Sequence, residues 1–106
     1  MPRERTITDN IVRYLRTIPH SAVRKTHGSI FTRAGDPDIV FYQGVADPLT
    51  GDVRLWRVLA LEVKQPGGKL TKIQAHRSAE LRKAGVKVYV VYSLEETKAL
   101  VDRKEV

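Results

Sequence analysis

Val53-Arg54-Leu55-Trp56-Arg57-Val58-Leu59-Ala60-Leu61-Glu62-Val63-Lys64, then Gln65-Pro66-Gly67-Gly68, is the stretch on which the architecture turns. The first twelve residues predict the longest strand. Alternation puts Leu59, Leu61 and Val63 on one face and Val58, Ala60, Glu62 and Lys64 on the other. Apolar residues on both faces mark a central strand. The charged pair comes only where that strand stops, at the break formed by residues 65–68. Residues 70–84 predict a helix. Thr71 with Gln74 makes a capping-box pattern, Ile73, Leu81 and Ala84 supply an apolar stripe, and Gly85 suits the left-handed position past the end. Residues 86–92, Val-Lys-Val-Tyr-Val-Val-Tyr, predict a strand. A strand, helix and strand of this length fit a parallel crossover.

Working outward, residues 38–43 read as a second buried strand, opened by Asp38 and followed by a loop at residues 47–52. Ala34-Gly35-Asp36-Pro37 is a turn signal. Residues 21–26 predict a short strand, and residues 29–32 a strand or an ordered loop. At the front, Ile7, Ile11, Val12, Tyr14, Leu15 and Ile18 have helical spacing, with Thr6 or Thr8 as cap and Pro19 beyond the end. Residues 94 to about 104 predict a final helix. The expected class is α/β, a central mixed sheet flanked by helices, in one domain over residues 1–106.

The composition narrows the partners. Apolar residues make up 42% of the chain, enough for a packed core, and there is no cysteine, which excludes disulfides and thiolate metal sites. No apolar run approaches the roughly 20 residues that span a bilayer, and the first residues lead into no signal segment. A soluble, cytoplasmic protein is expected. Lys and Arg number 19 against 12 Asp and Glu, a net charge of +7. These cations are spread from Arg3 to Lys83 rather than strung in a tail, so a folded basic face is expected. The anion such a face suits is nucleic acid. An interaction domain for an acidic protein partner would explain the charge but not the site that follows.

Two strands deliver two carboxylates and an ammonium. If they pair, Asp38, Glu62 and Lys64 converge. Two carboxylates suit a hard divalent cation, and a lysine beside a phosphate offsets developing charge. Glu62 and Lys64, two apart on a strand, project from one face. The bland alternative is a same-face ion pair of little consequence, which does not explain its place at the end of an apolar strand. Val63 points to the core, while its backbone carbonyl remains available to a cation. Asp36, before Pro37, reads as a turn residue, leaving Asp38 as the ligand. Gln74 is either a cap residue or a polar group of the site, whose helix N-terminus attracts phosphate beside Lys69 and Lys72. Lys25, His27, Arg33, Lys69 and Lys72 are candidate phosphate contacts. The three histidines lack zinc-ligand spacing, and His76 reads as an exposed helical residue. Tyr14, Trp56, Tyr89 and Tyr92 read as core or sheet surface rather than stacking platforms.

The run Gly35-Asp36-Pro37-Asp38-Ile39-Val40, then Leu59-Ala60-Leu61-Glu62-Val63-Lys64-Gln65-Pro66-Gly67-Gly68-Lys69-Leu70-Thr71, then Gln74, resembles the virus-type replication-repair nuclease domain, VRR-NUC, of the PD-(D/E)XK nuclease superfamily. The similarity extends from about Lys25 to Tyr92. It implies the αβββαβ core of those nucleases, Asp38 and Glu62 (with the Val63 carbonyl) as ligands of Mg²⁺ or Mn²⁺, Lys64 as catalytic lysine and Gln74 as the helix glutamine. Many superfamily members add a glutamate from the first helix. That position falls here near Thr6, with Glu4 close by. Stand-alone, phage-like members resemble dimeric Holliday-junction resolvases, which implies a homodimer cutting branched DNA in a bacterial or phage-infected cell. The rival expectations are a non-catalytic DNA-binding module on the same scaffold and a nuclease preferring flaps or other DNA structures.

Overall fold

The structure is a computed structural model and describes residues 3–26 and 33–104. Its elements run α1 (Glu4–Leu15), β1 (Ser21–Lys25), β2 (Ile39–Ala46), β3 (Val53–Val63), α2 (Lys72–Lys83), β4 (Lys87–Val91) and α3 (Leu94–Asp102). The four strands form one sheet in the order β1-β2-β3-β4. The first three are antiparallel and β4 joins β3 in parallel. The sheet is therefore mixed, with β3–α2–β4 as the expected crossover. None of the helices described is long and apolar enough to cross a membrane.

Alternation along β3 divides the structure into two unequal layers. Leu59, Leu61 and Val63 join Ile39, Phe41 and Val91 on one face, where they pack against Ile7, Ile11, Val12 and Leu15 of α1 and Leu100 and Val101 of α3. Phe41, Leu59, Leu61 and Val63 are fully buried there. Tyr14 and Tyr89 pack partly buried against this core, as read from the sequence. At the far end of the sheet, Arg57 is buried. Its guanidinium donates to the Val101 and Arg103 carbonyls at the end of α3 and to Gln43, and it lies over the Trp56 ring. A cation there satisfies carbonyls that the helix cannot.

The other face carries α2, and here the expected apolar stripe is corrected. Ser78 is the only buried residue of α2, and Ile73 is 59% exposed. Leu81 lines a shallow cleft with Val40, Val58 and Ala60 of the sheet. Arg and Lys at neighbouring helix positions leave α2 little apolar surface to bury. The Thr71–Gln74 capping box forms as expected, starting the helix at Lys72 rather than 70. Gly85 has φ 95, the left-handed conformation expected of it.

Two boundaries also move. Neither Thr6 nor Thr8 caps α1. The helix starts at Glu4 with Arg3 as an N-cap lacking a side-chain bond, and Thr8 donates from within it to the Glu4 carbonyl. A glutamate in the first turn favours this earlier start through the helix dipole. Strand β2 continues past Gln43 to Ala46, across a bulge at Gln43/Gly44, because the β2–β3 hairpin extends the pairing to Ala46 and Val53. The expectation for residues 29–32 lies outside the described residues. Leu61→Ala, in the core, should cost about 2–5 kcal/mol. Leu55→Ala, on the exposed part of the same strand, should stay within about 0.5 kcal/mol. Urea unfolding of the two variants measures this, and equal losses would contradict the layering described.

Candidate functional site

Backbone register brings the acidic groups together. Ile39 pairs with Leu61, so Asp38, one residue earlier, lies level with Glu62, one residue later. Asp38 accepts a 2.8 Å hydrogen bond from the Val63 amide at Oδ2, and its own carbonyl accepts from Thr26 N at 2.9 Å. The aspartate is thus tied to both neighbouring strands. Lys64, just past β3, donates its amide to the Val91 carbonyl at 3.0 Å, and its side chain is buried against the strand ends.

Gln74 does both things its sequence position allows. Its Oε1 accepts from Thr71 N at 2.9 Å, and its backbone amide donates to Thr71 Oγ1 at 3.2 Å. Its Nε2 donates to Glu62 Oε1 at 2.9 Å. A single amide joins the helix cap to the acidic pair. Glu62 is 1% exposed, and its second oxygen, Oε2, is buried without a hydrogen bond. Buried polar atoms are seldom left so. The Asp38 carboxyl lies beside it, and the two carboxyls share a hydrogen bond when one of them is protonated.

The electrostatics agree. Burial, then the charge of Asp38, push the Glu62 carboxyl up to about 8, against the pull of Lys64; a hydrogen bond shared with the Asp38 carboxyl and the charge of Glu4 add to the rise. Burial also raises Asp38, opposed by the Val63 amide, by the hydrogen bond shared with Glu62 and by Lys64. The first helix therefore turns Glu4, not Thr6, toward the pair. Glu4 and Asp38 line a cleft of about 460 Å³ with Arg5, Thr8 and Lys25. Glu4 acts at a distance, and no three His, Asp or Glu side chains among the described residues form a ready metal cage. Mg²⁺ is usually held by one or two carboxylates and completes its octahedron with water and phosphate oxygens. Asp38 and Glu62 could hold it.

One functional contact has no signature in the sequence. Asp36, the turn residue, accepts from Arg77 Nε at 2.6 Å through Oδ1 and from Arg33 N at 2.9 Å through Oδ2. Burial works against its charge, but the Arg77 and Arg33 bonds outweigh it and hold the carboxyl below its usual range. At Gly35, φ 84, an added Cβ would lie 2.7 Å from the Ile73 carbonyl oxygen, so the turn sits directly on the first turn of α2. The segment leading to Asp38 is clamped to the helix that carries Gln74. Positions 36 and 77 are 41 residues apart, and nothing local announces their pairing.

The basic candidates are less unified. Lys25 lines the Asp38 cleft but is ion-paired with Asp9 at 2.9 Å. Lys69 and Lys72 are exposed around the start of α2, and Arg33 is exposed in the turn before Asp38. His27 lies outside the described residues. His76 is exposed, 3.8 Å from Glu80.

No family model and no curated protein matches this sequence. Among solved structures, a VRR_NUC domain superposes with a TM-score of 0.71 over 97% of this chain and 98% of its own, at 22% sequence identity. The chain has the fold of that domain.

The raised Glu62 carboxyl has a consequence for stability. A carboxyl whose folded pKa exceeds its unfolded one costs nothing while protonated in both states. It costs progressively more as pH rises from 4.5 to about 8. Metal-free protein should therefore lose melting temperature between pH 5 and pH 8. Glu62→Gln should flatten most of that fall and melt at least about 4 °C above wild type at pH 8, the shift that ~1 kcal/mol gives a domain of this size. Thermal melts in chelator across this range check it, and a wild-type curve flat from pH 5 to 8 would refute the assignment.

Proposed function

We propose that the chain is a divalent-metal-dependent DNA endonuclease that cuts branched DNA, such as four-way junctions, as a homodimer with one site per copy. The observation that carries the reading is the pair of acidic side chains, Glu62 buried and Asp38 beside it, set with Lys64 at the end of the sheet, where burial and the charge of Asp38 raise Glu62. A merely structural ion pair would not bring two carboxyls together in a buried place. The likeness to the VRR_NUC domain, a nuclease domain by name, adds to it.

Bound by Asp38 and Glu62, Mg²⁺ or Mn²⁺ supplies Lewis-acid activation of a water and offsets charge on the phosphate. The chain's own residues do the rest. The Val63 amide fixes Asp38, leaving it little freedom to swing away from the phosphate. Gln74 fixes Glu62 through Oε1, which would leave Oε2 for the cation. Lys64 contributes its ammonium to the attacking side, where it orients the incoming water and stabilises the charge that develops. The Val63 carbonyl, at the same strand end, would be a further oxygen ligand. Exposed Lys69 and Lys72 at the α2 N-terminus, with Lys25 and Arg33, meet flanking phosphates. None of these groups reads bases, so selectivity rests on the shape of the DNA.

The junction preference and the dimer rest on a simple count. One described site per chain cuts one strand, and cutting two strands together needs a second copy. Two-fold dimers are the commonest closed assembly, and a four-way junction offers such a pair two equivalent strands.

Wild-type protein should nick labelled DNA with Mg²⁺ or Mn²⁺ and be silent with chelator. Lys64→Ala should lower the cleavage rate by at least about 100-fold, the scale on which one charge-stabilising donor acts, with melting temperature and DNA affinity kept. Lys64→Ala cutting at the wild-type rate would remove the mechanism. Separately, light scattering should give twice the 12.0 kDa chain mass, and a four-way junction should be cut faster than plain duplex. A monomer at assay concentration, or equal rates on the two substrates, would sink the dimer and the junction preference while leaving the nuclease reading intact.

A further inference from the structure

We infer that the outer surface of α1 is a nucleic-acid track leading away from the Asp38 cleft, with Arg5, Arg13 and Arg16 of the helix and Lys25 of β1 as its phosphate contacts. The surface starts at the site. Arg5 and Lys25 line the same cleft as Glu4 and Asp38. Lys25 then lines a second cleft, of about 370 Å³, with Asp9, Val12, Arg13 and Arg16. Both clefts border Lys25.

Helical geometry explains the row. Arg5, Asp9, Arg13 and Arg16 stand at spacings of four, four and three, which places them along one stripe of α1. The opposite stripe is the core set Ile7, Ile11 and Leu15. Arg5, Arg13, Arg16 and Lys25 are all exposed. The single acidic member, Asp9, is hydrogen-bonded by Lys25, and the charges of Lys25, Arg5 and Arg13 all draw its carboxyl down. Three cations thus surround one anion, and Arg16 adds a fourth. The stripe stays positive, and Asp9 holds Lys25, which borders both clefts.

The size fits one strand. Arg5 to Arg16 spans roughly 16 Å at 1.5 Å per residue, long enough for more than one consecutive phosphate of a strand to meet the row. A compact anion such as a nucleotide would use one end of this row. A polyanion uses all of it, so the partner is a DNA strand continuing from the cleavage point over α1.

This proposal rests on the phosphodiester reading of the Asp38 end only for where the strand begins, so its test is binding rather than cleavage. A labelled 30-base-pair duplex is titrated with full-length protein in chelator from low to moderate salt. Arg13→Ala/Arg16→Ala is compared with Arg54→Ala/Lys83→Ala, a pair of equal charge placed elsewhere, on β3 and at the end of α2. All four side chains are exposed, and melting temperatures verify folding. The α1 pair should lower the slope of log affinity against log salt by about two, near 0.9 per phosphate lost, and the other pair by much less. An unchanged slope for the α1 pair, or equal losses for both pairs, would overturn the track. Wild-type protein that binds DNA through α1 but never cuts it would overturn the nuclease reading and leave the track standing.

Discussion

Glu62 is a carboxylate held where water does not reach it, next to a second carboxylate. That constraint organises the rest. A buried charge is tolerated only when neutralised, paired or bound to a cation. Here the protein supplies part of each remedy: the Gln74 amide on one oxygen, the Lys64 ammonium nearby, and a carboxyl pushed up to about 8 that can share its proton with Asp38. The arrangement is costly for stability and useful for chemistry, a combination that marks functional sites. It persists because β3 is anchored on both sides by β2 and β4 and below by the α1 and α3 core.

The two faces of the sheet are held by different physics. Beneath, packed aliphatic side chains fix the strands, and deep burial makes register strict, since a one-residue slip would turn Leu59, Leu61 and Val63 to the wrong side. Above, α2 buries little and is held by directional polar contacts instead. These are the Asp36–Arg77 pair, the close seat of Gly35 on Ile73 and the Gln74–Glu62 bond. Each ties α2 to the segment that carries Asp38 or to Glu62 itself. A helix fastened this way adds little to the core but sets the position of one amide closely, and that amide orients the glutamate.

The first helix shows how one element serves two ends. Its inner stripe supplies the largest helical share of the core, while its first turn carries Glu4 to the acidic pair and its outer stripe carries the arginines. Helical periodicity keeps these duties apart, so residues chosen for packing and for charge do not compete for the same positions.

Much of this architecture is legible in the amino-acid sequence. Strand alternation announces that β3 is central and that Glu62 and Lys64 leave it on one face. The capping box announces where α2 begins, and the strand–helix–strand spacing announces the parallel crossover. These are local rules, in which neighbours along the chain decide the outcome. The resemblance to VRR-NUC domains then supplies the candidate roles of Asp38, Glu62, Lys64 and Gln74. What local rules miscast is instructive. The stripe of Ile73, Leu81 and Ala84 has helical spacing, yet only Leu81 of the three is even half-buried, because the Arg and Lys residues of α2 leave it little apolar surface to bury. Thr6 and Thr8 are good caps by type, but the helix begins earlier, at Glu4. Convergence belongs to the docking of the elements. The Asp36–Arg77 clamp spans 41 positions, Glu4 reaches the cleft across the sheet, and Gln74 serves cap and glutamate at once. Such through-space contacts between distant residues follow from how helices and strands pack, and no periodicity within one segment encodes them.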